Sequence, residues 1–298
     1  EKNKQVLNTV NDGEFIAQAS EVTTIEDQVE TPIETPHDWM LADWQKKGKP
    51  GTPKIGVITW DSPFGDEWGK GGFEYAEKLG MPVRMARFPT GGIDYKPYLT
   101  DLEAWGMDYM VDWVCDPSTT AVGMQAYDTG ISERVEELVH LWWAPCRATG
   151  AGLKTHADKL EGQMAIAQFI LGEDILANEM CTSLWTKYEG DPAKMGDAYS
   201  LGVALAMRLE EALKYALDKA GSYEALDGTH LREGYENLTG FETAGCMGTT
   251  TYSKTERAAT QEIKFYRAHN GEWTPLTDWV RCPNTISLHW PECPRTWE

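Results

Sequence analysis

The chain contains 298 residues, and 41% of them are hydrophobic, which is enough to build buried cores and excludes wholesale disorder. Its 27 Lys and Arg against 47 Asp and Glu give a formal net charge of −20, which disfavours nucleic acid and anionic membrane surfaces as partners. No run of residues approaches the roughly 20 apolar positions of a membrane-spanning helix, so we expect no direct membrane insertion.

The first 38 residues differ from the rest because they are acidic, rich in threonine and interrupted by prolines. This composition predicts one or two short strands or an extended connector. Trp39, Met40 and Trp44 then recur on one face, which predicts a short helix that leads into a strand at Lys54. The opening residues lack the apolar centre of a signal peptide, so the chain is either soluble or a mature form whose targeting segment has been removed.

From residue 54 onward, short apolar strands alternate with helical stretches. The predicted strands are residues 54–60, 82–88, 108–115 and 138–144, and the predicted helices between them are residues 66–79, 93–105 and 118–130. The first strand is a β-branched run without polar alternation, typical of a strand buried on both faces. Strands joined by helices pair in parallel through right-handed crossovers. The sequence therefore predicts an α/β fold with parallel sheets flanked by helices.

The second half of the chain is less regular. Residues 151–195 contain helical stretches of unclear order. Residues 198–221 form the longest predicted helix, which Gly221 ends, and residues 226–238 form a shorter one. Two β-rich runs within residues 264–280, on either side of Asn270-Gly271, predict an antiparallel hairpin.

Three predicted strand ends carry side chains suited to binding a ligand. In an open parallel sheet, ligands bind beyond the carboxyl ends of the strands. The candidate residues are Asp61 and Phe64 after the first strand, Cys115, Asp116 and Ser118 after the third, and Trp142 and Trp143 in the fourth. Aromatic rings, hydroxyls and carboxylates suit a small polar or zwitterionic solute. An equally open alternative is that both tryptophans belong to the core.

The sequence contains no recognisable catalytic or metal-binding constellation. The six histidines are scattered, and no serine nucleophile elbow or phosphate-binding loop is present. We therefore expect no metal ion, no cofactor and no enzymatic activity, with an α/β enzyme that uses Cys115 or Asp116 as the less favoured alternative. Cys282 and Cys293 bracket a short segment and are the best local candidates for a disulfide in an oxidising compartment.

Several stretches in order resemble type I periplasmic binding proteins, the extracytoplasmic solute receptors of branched-chain amino acid ABC importers. That family shows a strand, Asp-x-x-[Tyr/Phe]-Gly, a helix, Leu-Gly, a strand, a Gly-x-x-Asp-[Tyr/Phe] helix and an Asp-[Tyr/Phe] strand. The matching residues are Asp61, Phe64, Gly65, Leu79, Gly80, Gly91, Asp94, Tyr95, Leu99, Asp108 and Tyr109. The resemblance covers roughly residues 40 to 280, and the order and spacing of its motifs are more specific than any one motif.

The resemblance implies two α/β lobes joined by a three-segment hinge, with a solute trapped between them. The closed form would be presented to a membrane ABC permease, in the periplasm or another extracytoplasmic location, secreted or lipid-anchored. Phe64, Cys115 and Asp116 would face the cleft. Leucine-type specificity is not expected, because the best-known amino-acid binders of the family have an aromatic residue where this chain has Cys115-Asp116. Residues 142–144 also lack the carboxylate that meets an amino acid's ammonium group in those binders, which favours an aromatic, amide-like or other non-amino-acid solute. The implied solute is an amino acid, an amide or an aromatic acid. The alternative is a ligand-sensing regulatory module of the same fold.

The resemblance also divides the chain. The family usually opens with a complete first lobe, whereas few residues precede Lys54 here, so we expect the first lobe to be incomplete in this sequence. Either the lobe is reduced or the sequence is part of a longer protein, and we favour the second. The expected division is residues 1–50 as a remnant of the first lobe, 51–175 as the second lobe, 176–255 as helices returning to the first lobe, and 256–298 as a closing hairpin and tail.

Overall fold

One mixed β-sheet organises the chain. The computed structural model of the protein describes residues 6–8, 16–18, 26–62, 65, 72–114, 118–141, 148–253, 260 and 262–281. Two short strands, β1 (Val6–Asn8) and β2 (Ile16–Gln18), pair with each other in antiparallel orientation. The strands of the main sheet are β3 (Ile55–Trp60), β4 (Val83–Phe88), β5 (Tyr109–Trp113), β6 (Glu137–Leu141), β7 (Met164–Ala167), β8 (Glu262–His269), β9 (Glu272–Pro275) and β10 (Val280–Arg281).

Helices connect and cover these strands. They are α1 (Glu26–Lys46), α2 (Glu74–Lys78), α3 (Lys96–Trp105), α4 (Ser118–Asp128), α5 (Ile131–Arg134), α6 (Ala148–Thr155), α7 (Ala157–Leu160), α8 (Glu173–Ala177), α9 (Glu179–Tyr188), α10 (Tyr199–Ala220) and α11 (Gly228–Glu236). The predicted alternation of strands and helices after residue 54 is confirmed in order and type. Residues 66–71, 115 and 142–144 of the predicted elements lie outside the described residues.

The strands stand in the order β10-β8-β7-β6-β5-β3-β4, and β9 pairs with β8. All pairs from β4 to β7 are parallel. β8 is antiparallel to β7, β9 and β10. The fold is therefore α/β with a mostly parallel central sheet, as predicted.

Both faces of the central strands are covered. Every residue of β5, and every residue of β3 except its last, is buried. On one face, Val57 and Val111 share a core cluster with Met40 and Trp44 of α1. A second cluster, covered by α3 and α4, fills the other face. This double burial explains why the strands read as continuous apolar runs rather than alternating ones.

Helix α1 is longer than the sequence predicted. The two short strands predicted in this region are present as β1 and β2, but residues 26–38 are helical rather than a connector. The helix continues through Pro32 and Pro36, which lack backbone donors. Tertiary contacts anchor its second half, including a hydrogen bond of 2.6 Å from Tyr109 Oη to Asp43 Oδ2. Packing on the sheet therefore outweighs the local cost of the prolines.

Strand β7 was missed by sequence reasoning although it lies inside the sheet. It pairs in parallel with β6 and antiparallel with β8, and all four of its residues are buried. The run Met-Ala-Ile-Ala is short, and alanine is a weak strand former, so nothing local marks it.

The predicted hairpin is confirmed as β8 and β9. Their register pairs His269 with Glu272 across a two-residue loop. Asn270 and Gly271 have φ values of 51° and 80°, as a type I′ turn requires.

Helices α10 and α11 pack on each other, around a core of their own. Ala212, Tyr235, Leu238 and Tyr252 form this cluster. At Gly234 of α11, an added Cβ would lie 2.1 Å from the carbonyl oxygen of Ala212 in α10. Only glycine therefore permits the observed approach of the two helices.

Candidate functional site

The order of the strands creates a switch point between β3 and β5. Along the chain, β3 is followed by β4, which pairs on one side of it, whereas β5 pairs on its other side. The connections on the two sides therefore diverge and open a crevice beyond the carboxyl ends of β3 and β5. The candidate site consists of the residues that follow these two strands.

The carboxyl ends of β3 and β5 are tied together. Thr59 Oγ1 donates a buried hydrogen bond of 2.8 Å to the carbonyl oxygen of Trp113. The chain after β3 then passes close to its own strand, because an added Cβ at Gly65 would lie 2.0 Å from the carbonyl oxygen of Trp60. Glycine is thus required at this position, which holds the backbone at the floor of the crevice.

Helix α4 begins at the crevice with three consecutive hydroxyl residues. The Oγ1 atom of Thr119 donates to the carbonyl oxygen of Val114 at 3.3 Å, which joins the helix to the end of β5. Thr120 Oγ1 is buried and has no hydrogen-bond partner among the described residues. The amino end of a helix carries a partial positive charge, so this position favours an anionic group such as a solute carboxylate.

Tyr95 supports the first residue of α4. Its Oη donates to the carbonyl oxygen of Gly92 at 2.5 Å and lies 3.0 Å from Ser118 Oγ. Its ring meets Phe88 edge to face, with centroids 4.7 Å apart. Its backbone N–H donates to Gln125 Oε1 of α4 at 2.8 Å. The loop after β4 and the start of α4 are therefore one rigid wall of the crevice.

The structure brings Asp61 and Ser118, two of the predicted ligand-binding residues, to the same edge of the sheet. Asp61 follows β3 with an exposed side chain, and its N–H donates to the carbonyl oxygen of Phe88 at 2.7 Å. Ser118 is buried against Tyr95. The other predicted ligand-binding residues, Phe64, Cys115, Asp116, Trp142 and Trp143, lie outside the described residues, as do Cys282 and Cys293 of the predicted disulfide.

A chain of buried polar side chains crosses the sheet next to the crevice. Asp112 and His140 occupy paired positions on β5 and β6, and Asp112 Oδ2 lies 2.6 Å from His140 Nδ1. His140 Nε2 lies 2.7 Å from Gln163 Oε1, which can only accept, so Nε2 carries a proton. Gln163 Nε2 donates in turn to the carbonyl oxygen of Lys159 at 3.2 Å.

This pair holds a proton. Burial raises the pKa of Asp112, against the attraction of His140. Burial alone would lower the pKa of His140, but the attraction and hydrogen bond of Asp112, with the hydrogen bond of Gln163, outweigh it and the pKa is raised. Both side chains are 0% exposed, so they hold two strands together and do not face a solute.

A separate cavity of about 380 Å³ lies at the opposite edge of the sheet, at the amino end of β4. Its lining residues are Phe73, Glu77, Gly80, Met81, Pro82 and Val83. Glu77 is the single charged side chain in this lining. Because open α/β sheets bind ligands at the carboxyl edge, we assign the candidate site to the switch point and not to this cavity.

The described residues contain no group of three His, Cys, Asp or Glu side chains that could hold a metal ion. None of the helices in the described part of the chain is both long enough and apolar enough to cross a membrane.

Sequence reasoning missed three residues that shape the site: Thr59, Tyr95 and Thr120. The sequence marks Tyr95 only as part of a family motif, although a tyrosine among apolar residues indicates a hydroxyl that needs a hydrogen-bond partner. The sequence does not mark Thr59 or Thr120 as site residues, because a β-branched threonine within an apolar run resembles valine.

Comparison with known proteins relates the chain to one family. A family model described as periplasmic binding protein matches residues 31–272. No curated protein sequence matches the chain significantly.

Solved structures share the fold at low sequence identity. One is described as an ABC transporter permease from the Pseudomonas fluorescens group (18% identity, TM-score 0.69, covering 87% of this chain and 64% of that chain). A branched chain amino acid ABC transporter from Thermus thermophilus with bound valine gives 16% identity and a TM-score of 0.67, covering 90% and 68%. A fatty acid ABC transporter substrate-binding protein from Thermomonospora curvata has 15% sequence identity and a TM-score of 0.68, and the match covers 87% of this chain and 64% of that chain. The chain thus spans 64 to 68% of the length of these three structures.

Proposed function

Because this chain belongs to the periplasmic binding protein family, we propose that it is an extracytoplasmic solute-binding protein that delivers a small polar or amino-acid-like solute to an ABC import permease. The solute would be captured between two lobes. The observation that carries this proposal is the crevice at the switch point between β3 and β5, where one edge of the sheet gathers Asp61 and the start of α4.

The charges at this edge favour a solute that carries both signs. The exposed carboxylate of Asp61 attracts an ammonium group, whereas the amino end of α4 attracts a carboxylate. A zwitterion such as an amino acid satisfies both. We include Phe64, Cys115, Asp116, Trp142 and Trp143 in the proposed site, because each follows or ends a strand that reaches the same edge.

The described side chains at the crevice favour binding over chemistry. The Ser118 hydroxyl is engaged with Tyr95, so it is not aligned with a general base. His140 is fully buried and committed to Asp112 and Gln163. A solute held here would leave unchanged.

Closure by a second lobe is the remaining part of the proposal. We propose that residues 51–175 form the lobe that carries the crevice. Residues 1–50 and 176–255 would lead to the opposite lobe, with α1 and the first half of α10 packed on the sheet of this lobe, and residues 256–298 would close the fold. The core that α11 shares with the second half of α10 supports this division, because it is separate from the clusters on the sheet.

A thermal-shift screen tests the proposed function. Amino acids, amides, aromatic acids and fatty acids would be added separately, and each mixture would be examined afterwards for chemical change. We expect saturable stabilisation by one class, about 2.7 kcal/mol at a hundredfold excess over Kd, with the solute recovered intact.

Two results would contradict the proposal. Conversion of a stabilising compound into a product would favour the alternative enzyme, with Cys115 or Asp116 as the first residues to test. Absence of stabilisation by every class would remove the support for a solute receptor.

A further inference from the structure

Two cysteines lie in contact inside the fold. Cys181 in α9 and Cys246, in the turn after α11, are each 0% exposed, and their Sγ atoms are 3.4 Å apart. They are separated by 65 positions in the sequence, so only the fold brings them together. A disulfide bond is about 2.05 Å long, so small side-chain rotations would close the gap.

Asn178 positions both cysteines. As the N-cap of α9, its Oδ1 accepts the N–H of Cys181 at 2.9 Å. Its Nδ2 donates to the carbonyl oxygen of Ala244 at 2.8 Å, which fixes the turn that carries Cys246. Cys246 Sγ also lies 3.8 Å from Asn178 Oδ1. One side chain therefore sets the position of both sulfurs.

The turn itself is held rigidly. Ala244 has a φ of 52°, which is unusual for a residue other than glycine, and Gly245 follows at 78°. The carbonyl oxygen of Cys246 accepts the N–H of Ile170 at 3.0 Å. Thr243 Oγ1 accepts the N–H of Met247 at 3.1 Å. The strained turn is thus overdetermined by its contacts and directs Cys246 inward.

The two thiols are also chemically unequal. The hydrogen bond from Cys246 lowers the pKa of Cys181, against the effect of burial. The same contact, with burial, raises the pKa of Cys246. Thiolate character therefore falls on Cys181, the thiol better suited to attack a disulfide first.

We propose that Cys181 and Cys246 form a disulfide that links α9 to the turn after α11. The linkage does not depend on the proposed solute or permease, because it follows from the contact of the two sulfurs alone.

The bond would form by thiol–disulfide exchange with a small or protein disulfide while the chain folds, after the two sulfurs come into contact and before they are buried. The Cys181 thiolate attacks one sulfur of the oxidant, forms a mixed disulfide and releases the other oxidant sulfur as a thiolate. The Cys246 thiolate then attacks Cys181 Sγ and displaces the second oxidant sulfur. The two cysteines lose two electrons and two protons, and the disulfide of the oxidant is reduced to two thiols.

Peptide mapping tests the linkage directly. The protein is refolded with reduced and oxidised glutathione, quenched with acid, alkylated and digested with trypsin. Residues 160–187 and 233–254 are separate tryptic peptides, each with a single cysteine. We expect one linked species whose mass is that of the two peptides less two hydrogens. Recovery of both peptides alkylated from natively refolded protein, or linked to other cysteines, would overturn the proposal.

Stability provides a second measurement. Reductant should lower the Tm of a protein in which Cys115, Cys146, Cys282 and Cys293 are replaced by serine. The matched control adds Cys181→Ser and Cys246→Ser, and its Tm should not respond to reductant. Equal responses of the two proteins would count against the disulfide. If the first variant does not fold, the peptide map of the natural sequence decides.

Discussion

Asp112 and His140 stand side by side on adjacent parallel strands and share a hydrogen bond of 2.6 Å inside the sheet. Their pKa values are both raised, so the folded chain holds a proton that the unfolded chain gives up. The two residues are 28 positions apart, and the register of β5 and β6 alone makes them neighbours.

This pair makes stability depend on pH. The stabilisation by His140 is complete below its unfolded pKa of about 6.5 and is lost as the pH rises towards the raised pKa of the folded state. The raised pKa of Asp112 has the same effect: it lowers the free energy of unfolding as the pH rises above the unfolded pKa of 3.8. Above pH 6.5, the free energy of unfolding should therefore fall by up to about 1.4 kcal/mol per pH unit.

The substitution Asp112→Asn should remove this pH dependence of the free energy of unfolding. The asparagine amide donates a hydrogen bond to the neutral Nδ1 of His140, so the imidazole stays uncharged. Urea unfolding followed by tryptophan fluorescence at pH 6, 7 and 8 compares the two proteins. The remaining titrating groups are common to both and cancel in the difference. Parallel pH profiles would show that the pair does not retain its proton.

Alanine should have opposite effects on stability at two glycines, one inside the contact between α10 and α11 and one outside it. Gly234→Ala places a Cβ 2.1 Å from the backbone oxygen of Ala212, so we expect a loss of about 1–3 kcal/mol. Gly202→Ala in α10 meets no atom within 4 Å and should stabilise the helix by up to about 1 kcal/mol. Chemical denaturation measures both, and a harmless Gly234→Ala would mean that the two helices are not packed as closely as described.

The proposed solute site predicts a contrast between the two edges of the sheet. Asp61→Ala and Ser118→Ala, at the carboxyl edge, should each raise the Kd at least tenfold, about 1.4 kcal/mol. Glu77→Ala, at the cavity of the opposite edge, is the matched control and should leave the Kd unchanged. Calorimetric titration with the solute found by the screen measures all three. Weaker binding by Glu77→Ala alone would move the site to the other edge.

The hydroxyl of Tyr95 should position Ser118 without touching the solute. Tyr95→Phe removes the contacts with Gly92 and Ser118, so we expect a loss of about 1 kcal/mol in stability and a higher Kd. Tyr98 packs against the same Phe88 ring, at 5.9 Å, and Tyr98→Phe is the matched control. Melting temperatures and titrations of both variants test this role. Equal behaviour of the two would remove Tyr95 from the site.

Local sequence patterns are enough to predict the order and type of most of the strands and helices after residue 54. The β-branched run of Ile55–Trp60 and the Asn270-Gly271 turn each encode their structure within a few residues. Parallel pairing then predicts that the strand ends meet at one edge, which is how Asp61 and Ser118 could be named together. The period of the apolar residues and the chemistry of turns are sufficient for these predictions.

Features that depend on tertiary contact could not be predicted in this way. Strand β7 is defined by its two neighbours, and α1 is held through its prolines by the sheet beneath it. The contact of Cys181 with Cys246 requires a turn whose left-handed Ala244 has no sequence signature. Long-range pairing, and not local propensity, decides each of these.

The placement of β8 beside β7 also has a consequence for synthesis. Ala167 pairs with Lys264, about a hundred residues later in the chain. At a ribosomal rate of about 5–20 residues per second, the unpaired edge of β7 waits about 5–20 s for its partner. During that interval the apolar strand β7 can pair with strands of other nascent chains. A factor that shields the emerging polypeptide should therefore raise the yield of this protein more than the yield of a protein whose paired strands are consecutive in sequence.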